Sequence, residues 1–259
     1  MRSNLDEDDD DRGRGRGRDR YRDEDRRHKP HFDSFLYWGT ARAGLGLTLV
    51  GSIFISIGFI LNLIFLLSFE QRQFGGFDRD EGLVILAQIG QLLLGLGGMM
   101  WILSLFMSGG APSESGASGF SIGTRISFLS VLVTVLIIMA TADRGFGRGN
   151  TGEFFLYIII AELALMMIFW SLYLRAVAVY VGNSGAAAGA IIFMIVSLIG
   201  FGLNVFTMLS RNPFGEGKTM VLITSGLGVG MFIFQAILSG TIRGSLSDFL
   251  LRELKQLNR

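Results

Sequence analysis

The residues that could do chemistry in the apolar part of this sequence are one acid and several amides. Glu162 is the single acidic residue inside any long apolar segment, and the amides lie at similar distances from the segment ends: Asn62, Gln88, Gln91 and Asn204. Counted from one side, they lie about 5–9 residues into their segments, or roughly 8–14 Å at the rise of an α-helix. Together with Thr224 and Ser225, they predict one intramembrane polar layer.

Glu162 can serve such a layer in two ways. An acid in hydrocarbon is costly, so it tends to face the interior of a bundle and to mark the route of an ion, a proton or a substrate. The alternative is a protonated Glu162 that hydrogen-bonds a neighbour such as Gln91. For the amides we predict hydrogen bonds between helices, with a polar cavity for a solute or an ion as the alternative.

The apolar segments lack the residues that metal binding, haem binding or catalysis would need. The chain has no cysteine, and its two histidines, His28 and His31, precede the first apolar segment. No imidazole or thiolate is therefore available within the apolar segments for haem, copper or zinc. No Ser–His pair or pair of aspartates occurs there either. We predict no enzyme, no catalytic residue, no metal site and no cofactor.

Six apolar segments must position the polar layer. Each approaches or exceeds the roughly 20 residues that a hydrocarbon layer of about 30 Å requires. They lie at about 43–69, 83–107, 125–142, 154–180, 187–210 and 219–242, and the third is the shortest. The sequence thus predicts an all-α integral membrane protein, with a six-transmembrane-helix bundle over residues 37–242.

The two ends of the chain differ from this apolar middle. Residues 1–36 contain the acidic run DEDDDD and an Arg-Gly repeat, and we predict a disordered, charged cytoplasmic tail. Its Arg-rich stem could attract anionic lipid, whereas nucleic acid is not an expected partner. Residues 243–259 predict a short cytoplasmic amphipathic helix that starts with a Ser-x-x-Asp cap at Ser245 and Asp248.

Basic residues are divided unequally between the two sides of the predicted bundle. The side that carries both termini has 17 lysines and arginines, and the other side has 6. Because positive charge is retained in the cytoplasm, both termini are predicted to be cytoplasmic, with the bundle in the plasma (inner) membrane. Trp38, Trp101 and Trp170 fall towards the cytoplasmic half and predict an interfacial belt, with burial as the alternative for Trp170.

Two features predict how the helices pack. The stretch GFILNLIFLLS at 58–68 matches GFGLNVFTMLS at 200–210 at six of eleven positions, and one hypothesis is a repeat of three tandem helical hairpins. Small and polar residues also recur at helical spacing, which predicts inward faces. The first segment has Gly44, Thr48, Gly51, Gly58 and Asn62, and the second has Gln88, Gln91, Gly95 and Gly98.

These patterns predict a class of protein rather than a reaction. We expect a multi-pass protein that serves as a non-catalytic scaffold or as an accessory subunit of a membrane complex. Its expected partners are the lipid bilayer and either another membrane protein or a second copy of the chain. The alternative is a small-solute or ion transporter or channel that uses an outer-leaflet polar layer centred on Glu162.

Overall fold

The computed structural model describes residues 32–72, 81–142, 150–209 and 217–257. The chain divides into two units, Met1–Leu36 and Tyr37–Arg259, and every contact reported below lies within the second. The helices are α1 (Phe32–Arg72), α2 (Glu81–Met107), α3 (Ala117–Ala142), α4 (Asn150–Tyr180), α5 (Ser184–Leu209) and α6 (Gly217–Leu257). Two single 3₁₀ turns, Ser108–Gly110 and Ser113–Ser115, connect α2 to α3.

Each of the six helices contains a stretch that is long and apolar enough to cross a membrane. The described residues contain no strand. The predicted all-α fold with six long apolar helices is therefore confirmed. The third helix is longer than predicted, since α3 begins at Ala117 rather than near residue 125. Residues 117–124 precede the predicted segment, but they belong to the helix.

The predicted separate amphipathic helix at 243–259 is instead the continuation of α6 as far as Leu257. Ser245 lies inside α6 and does not cap a new helix; its Oγ accepts a hydrogen bond from Asn183 Nδ2 at 2.8 Å. Further along, the Phe249 ring packs edge to face on Tyr180 of α4, with centroids 5.6 Å apart. Residues 258–259 lie outside the described part.

Helices α1 and α2 approach each other backbone to backbone and run antiparallel. A Cβ built on Gly51 would lie 2.8 Å from the Gly97 carbonyl oxygen, and one on Gly58 would lie 2.7 Å from the Gly90 oxygen. Two turns further along, a Cβ built on Gly44 would lie 3.1 Å from the Ser104 carbonyl oxygen. We call these residues the glycine seam: Gly44, Gly51 and Gly58 of α1, with Ser104, Gly97 and Gly90 of α2.

The glycine seam supports the predicted face of α1 but corrects that of α2. Nothing lies within 4 Å of a Cβ built on Gly95 or Gly98, and the side chains of Gln88 and Gln91 are exposed. The α2 helix carries two stripes of small or polar residues, and the one in contact has the same seven-residue spacing as α1. A matching spacing lets close approaches recur along both helices.

Helices α5 and α6 pack differently at their glycines. A Cβ on Gly189 would lie 3.2 Å from Leu238 Cδ1, and one on Gly200 would lie 3.4 Å from Met231 Sδ. These neighbours are flexible side chains, whereas in the glycine seam they are mostly backbone. The residues that the repeat hypothesis would superpose, the side chain of Asn204 and both Phe74 and Phe214, lie outside the described part, so the repeat stays a prediction.

Polar side chains close two helix ends near the connections. The Arg125 guanidinium of α3 donates to Leu105 O at 3.1 Å and to Phe106 O at 2.5 Å. Both oxygens belong to the last turn of α2, where carbonyls have no helical donor and a cation is favoured. Asn183 caps the start of α5, because its Oδ1 accepts from the Ala186 N–H at 2.9 Å. The connection before it turns at Gly182, whose φ is +78°.

Candidate functional site

The first candidate site is the carboxyl group of Glu162 on α4. Its Oε1 accepts hydrogen bonds from Ser130 Oγ at 2.5 Å and from Thr134 Oγ1 at 3.1 Å. These two hydroxyls lie one turn apart on α3, so the three residues link α3 to α4. The other oxygen, Oε2, is buried and has no hydrogen-bond partner among the described residues.

The other members of the predicted layer are placed differently. Asn62 donates from Nδ2 to Gly58 O on its own helix at 2.8 Å, and it lies against Gly90 of α2. Gln88 and Gln91 are exposed, which differs from their predicted inward orientation. The side chain of Asn204 lies outside the described part. No hydrogen bond in the described part joins Glu162 to these amides.

The sequence did contain a signal for the true partners of Glu162. Ser130 and Thr134 are separated by four residues, which places both hydroxyls on one face of α3. Hydroxyl groups are common within apolar helices, where they often bond to the carbonyl one turn earlier. Thr124 does this with Phe120 O at 2.8 Å. Such local bonding makes a hydroxyl an ambiguous marker of a bond between helices.

A second polar cluster, which the sequence analysis missed, surrounds Gln235 of α6. Gln235 is fully buried, and its side-chain oxygen accepts from Trp101 Nε1 at 2.7 Å and from Trp170 Nε1 at 3.0 Å. We assign the amide with its oxygen facing the indoles, because only this orientation gives both indole N–H groups an acceptor. One oxygen thereby joins α2, α4 and α6. Sequence signals were present, because Gln235 is the only amide in the 219–242 segment and an indole N–H needs an acceptor when buried.

Trp38 and Trp101 are core residues and do not form the predicted interfacial belt, whereas the burial given as the alternative for Trp170 is confirmed. Trp38, Trp101 and Trp170 are all at most 8 % exposed. The Trp170 ring stacks on Tyr173, with centroids 5.2 Å apart, and meets Trp101 edge to face at 6.2 Å. The Tyr173 hydroxyl is buried without a hydrogen-bond partner in the described part of the chain. The two indole groups that bond Gln235 therefore pack against each other, and Trp170 also packs on Tyr173.

A groove on the side of the bundle lies between α4 and α5. It has a volume of about 500 Å³ and is open to the surface, and its walls include Tyr157, Ala164, Leu198 and Phe201. The lining is almost entirely apolar, so the groove suits hydrocarbon rather than an ion or a polar solute. Glu162 does not line it.

The described residues contain no group of three or more His, Asp or Glu that could hold a metal ion. Comparison of the chain with protein-family models, with curated proteins and with solved structures finds no match. The geometry of the described residues offers hydrogen bonds between helices at Glu162 and at Gln235.

Proposed function

We propose that the chain is a multi-pass protein of the plasma membrane. Support comes from where its polar and apolar side chains lie. Leu92, Met139 and Ile237 are 61 %, 68 % and 62 % exposed, while Gln235 and Ser197 are fully buried. A surface richer in large apolar side chains than the interior is unfavourable in water and suits a hydrocarbon solvent.

Within that membrane we infer a non-catalytic scaffold or an accessory subunit of a complex. The observation that carries the proposal is the use of Gln235 as a shared acceptor for Trp101 and Trp170. This buried amide is committed to joining three helices. The Glu162 oxygen that accepts from Ser130 and Thr134 likewise joins two. In this proposal, the polar groups that a carrier would offer to a solute instead hold the helices together.

One observation favours transport as a second candidate function. The Oε2 atom of Glu162 is buried without a hydrogen-bond partner in the described part, so this oxygen is not used by the links to α3. A buried carboxyl oxygen of this kind could hold a proton or coordinate a cation in transit. In this account, Ser130 and Thr134 orient the carboxyl group.

Membrane orientation is tested with reporters that work on only one side of the membrane. We expect reporters fused before residue 1 and after residue 259 to be active in the cytoplasm, because 17 of 23 basic residues lie on that side of the predicted topology. A reporter inserted between residues 143 and 149 is the matched control and should be active on the other side. Opposite locations of the two ends would contradict the six-helix topology.

The scaffold proposal is tested by purifying the full chain from its native membrane in a mild detergent. We expect one membrane protein to remain bound at a fixed stoichiometry through successive columns, and to be absent when an unrelated six-helix protein is purified in parallel. The same preparation is then placed in vesicles under ion and solute gradients. Flux without a stoichiometric partner would favour transport and contradict the scaffold.

Glu162→Gln separates the two candidate functions. The amide oxygen can still accept from Ser130 and Thr134, so we expect unchanged expression and thermal stability. Glu162→Leu, the matched control, removes the oxygen that accepts from the buried Thr134 hydroxyl, with an expected loss of about 1–3 kcal/mol. A vesicle flux that the wild type shows and the Gln variant lacks would assign Glu162 to transport. Partner binding that survives Glu162→Gln supports the scaffold.

A further inference from the structure

We propose that Arg42 of α1 and Arg243 of α6 form a binding site for a phosphate group, supplied by the headgroup of an anionic phospholipid. The site would lie at the end of the α1–α6 contact that is predicted to face the cytoplasm. This inference rests on the proposed membrane location. It uses residues distinct from both the Glu162 and the Gln235 clusters, and from the Arg-rich tail at 1–36.

The geometry begins with the contact between α1 and α6. A Cβ built on Gly240 would lie 3.6 Å from Leu49 Cδ1, and the rings of Phe59 and Phe232 are 6.1 Å apart. These pairs show that the two helices run antiparallel. The next contact in the series is at Gly46, where a Cβ would lie 3.4 Å from both Cζ and Nε of Arg243. The Arg243 guanidinium thus packs over the bare backbone of Gly46.

Arg42 is a second arginine on the α1 face that carries Gly46. It precedes Gly46 by one helical turn, and residues four apart on a helix have Cβ atoms about 5–6 Å apart. The Arg42 side chain therefore starts within reach of the Arg243 guanidinium. Both side chains are exposed. Two positive charges that start on neighbouring turns of this contact favour the binding of an anion between them.

The hydrogen bonds found among the described residues do not involve the guanidinium group of Arg42 or of Arg243. Other arginines have local acceptors. Arg125 bonds the last carbonyls of α2, and Arg252 Nε donates to Asp248 O at 3.3 Å on its own helix.

Their depth points to a lipid as the source of the phosphate. Arg42 directly precedes the apolar segment at 43–69, and Arg243 directly follows the one at 219–242. With the membrane spans predicted at 43–69 and 219–242, both arginines would lie at the boundary between hydrocarbon and headgroups on the cytoplasmic side, where anionic lipids attract arginine. A guanidinium fork also matches the geometry of phosphate oxygens better than an ammonium does.

The test uses the full chain in an uncharged detergent, with phosphatidylglycerol as the probe and phosphatidylcholine as the zwitterionic reference. We expect phosphatidylglycerol to remain bound in native mass spectrometry and to raise Tm, whereas phosphatidylcholine should do neither. In the Arg42→Gln/Arg243→Gln variant, affinity for phosphatidylglycerol should fall at least about tenfold. A double variant that binds this lipid as tightly as the wild type would overturn the proposal.

Two further variants separate a built site from general positive charge. Arg175→Gln removes another exposed arginine near the same end of the bundle and should leave lipid affinity unchanged. Gly46→Met keeps every charge but places a side chain where the Arg243 guanidinium packs, and it should weaken lipid binding. Equal losses in the Arg175 variant and in the double variant would reduce the effect to net charge and refute the site.

Three controls complete the design. Inorganic phosphate that reproduces the Tm shift and competes with the lipid would reassign the site to a soluble ligand and refute the lipid. If the double glutamine variant fails to fold, Arg42→Lys/Arg243→Lys takes its place. This variant keeps both charges but should bind phosphatidylglycerol more weakly, because it lacks the two planar guanidinium groups. Unchanged affinity would refute the proposed geometry. If the wild type does not bind phosphatidylglycerol, the lipid site is refuted. The proposed membrane location is not, since the reporter fusions test it separately.

Discussion

Replacing Gly97 with alanine is expected to destabilise the protein by about 1–3 kcal/mol, although alanine is the better helix former. A Cβ at Gly97 would lie 2.7 Å from the Gly51 carbonyl oxygen and 2.9 Å from Ile55 N. These atoms belong to the α1 backbone and cannot rotate away as a side chain would. The new methyl group must therefore push α1 and α2 apart, which also weakens the neighbouring contacts of the glycine seam.

Gly95→Ala provides the matched control on the same helix. Nothing lies within 4 Å of a Cβ at Gly95, so the added methyl group meets no protein atom. The replacement should be neutral or should stabilise α2 by up to about 1 kcal/mol. Reversible thermal or denaturant unfolding of both variants in one detergent checks the opposite signs. A stabilising effect of Gly97→Ala would mean that α1 and α2 are not held at backbone contact.

The second large effect is expected at the Gln235 cluster. Gln235→Met keeps the length of the side chain but removes the oxygen that accepts from Trp101 and Trp170. Two buried indole N–H groups would lose their acceptor, and each buried unsatisfied donor costs about 1–3 kcal/mol. We expect a clear fall in Tm and a change in tryptophan fluorescence. An unchanged unfolding curve would contradict the shared acceptor.

A mutant cycle distinguishes lost hydrogen bonds from lost packing. Trp101→Phe and Trp170→Phe each remove one donor and retain an aromatic ring, and the triple variant with Gln235→Met leaves no member of the set unpaired. Replacing all partners by apolar groups is close to neutral for the hydrogen-bond contribution, so the triple variant should lose less than the sum of the three single losses. Strictly additive losses would show that packing alone sets the stability.

The six helices could be predicted because length and apolar content are properties of a single segment. No knowledge of neighbouring segments is needed to find 20 apolar residues in a row. The start of α3 at Ala117 was missed for a related reason. Residues 117–124 include Gly119 and Gly123, which weaken a helix in isolation, but the helix continues through them. At Gly123, the ring of Phe169 on α4 occupies the space that a side chain would need.

The contacts between helices were harder to predict because each helix offers more than one plausible face. On α2 the stripe with Gln88 and Gln91 and the stripe with Gly90 and Gly97 both have helical spacing. Only the register with α1 selects between them, and that register is a property of two segments at once. Shared seven-residue spacing was the available signal, since Gly44, Gly51 and Gly58 repeat with the period of the contacting α2 residues.

The candidate site was predicted in part. Glu162 stood out as the lone acid in an apolar segment, but its partners were sought among amides at the same depth, and depth says nothing about direction around a helix. The structure instead pairs it with Ser130 and Thr134 of α3. The role of Gln235 was not predicted because its partners are tryptophans. A tryptophan in an apolar segment indicates packing first, and its single N–H donor is easily overlooked.

The Gln235 cluster also sets an order of assembly during synthesis. Trp101 and Trp170 lie in α2 and α4, whereas their acceptor lies in α6, the last of the six helices to leave the ribosome. The glycine seam joins consecutive helices and can close as soon as α2 is made. The indole groups, in contrast, have no Gln235 oxygen until translation reaches α6. A chain truncated before α6 would thus retain its first hairpin. The indole N–H groups of Trp101 and Trp170 would lack the Gln235 acceptor, which distinguishes the incomplete bundle from the complete one.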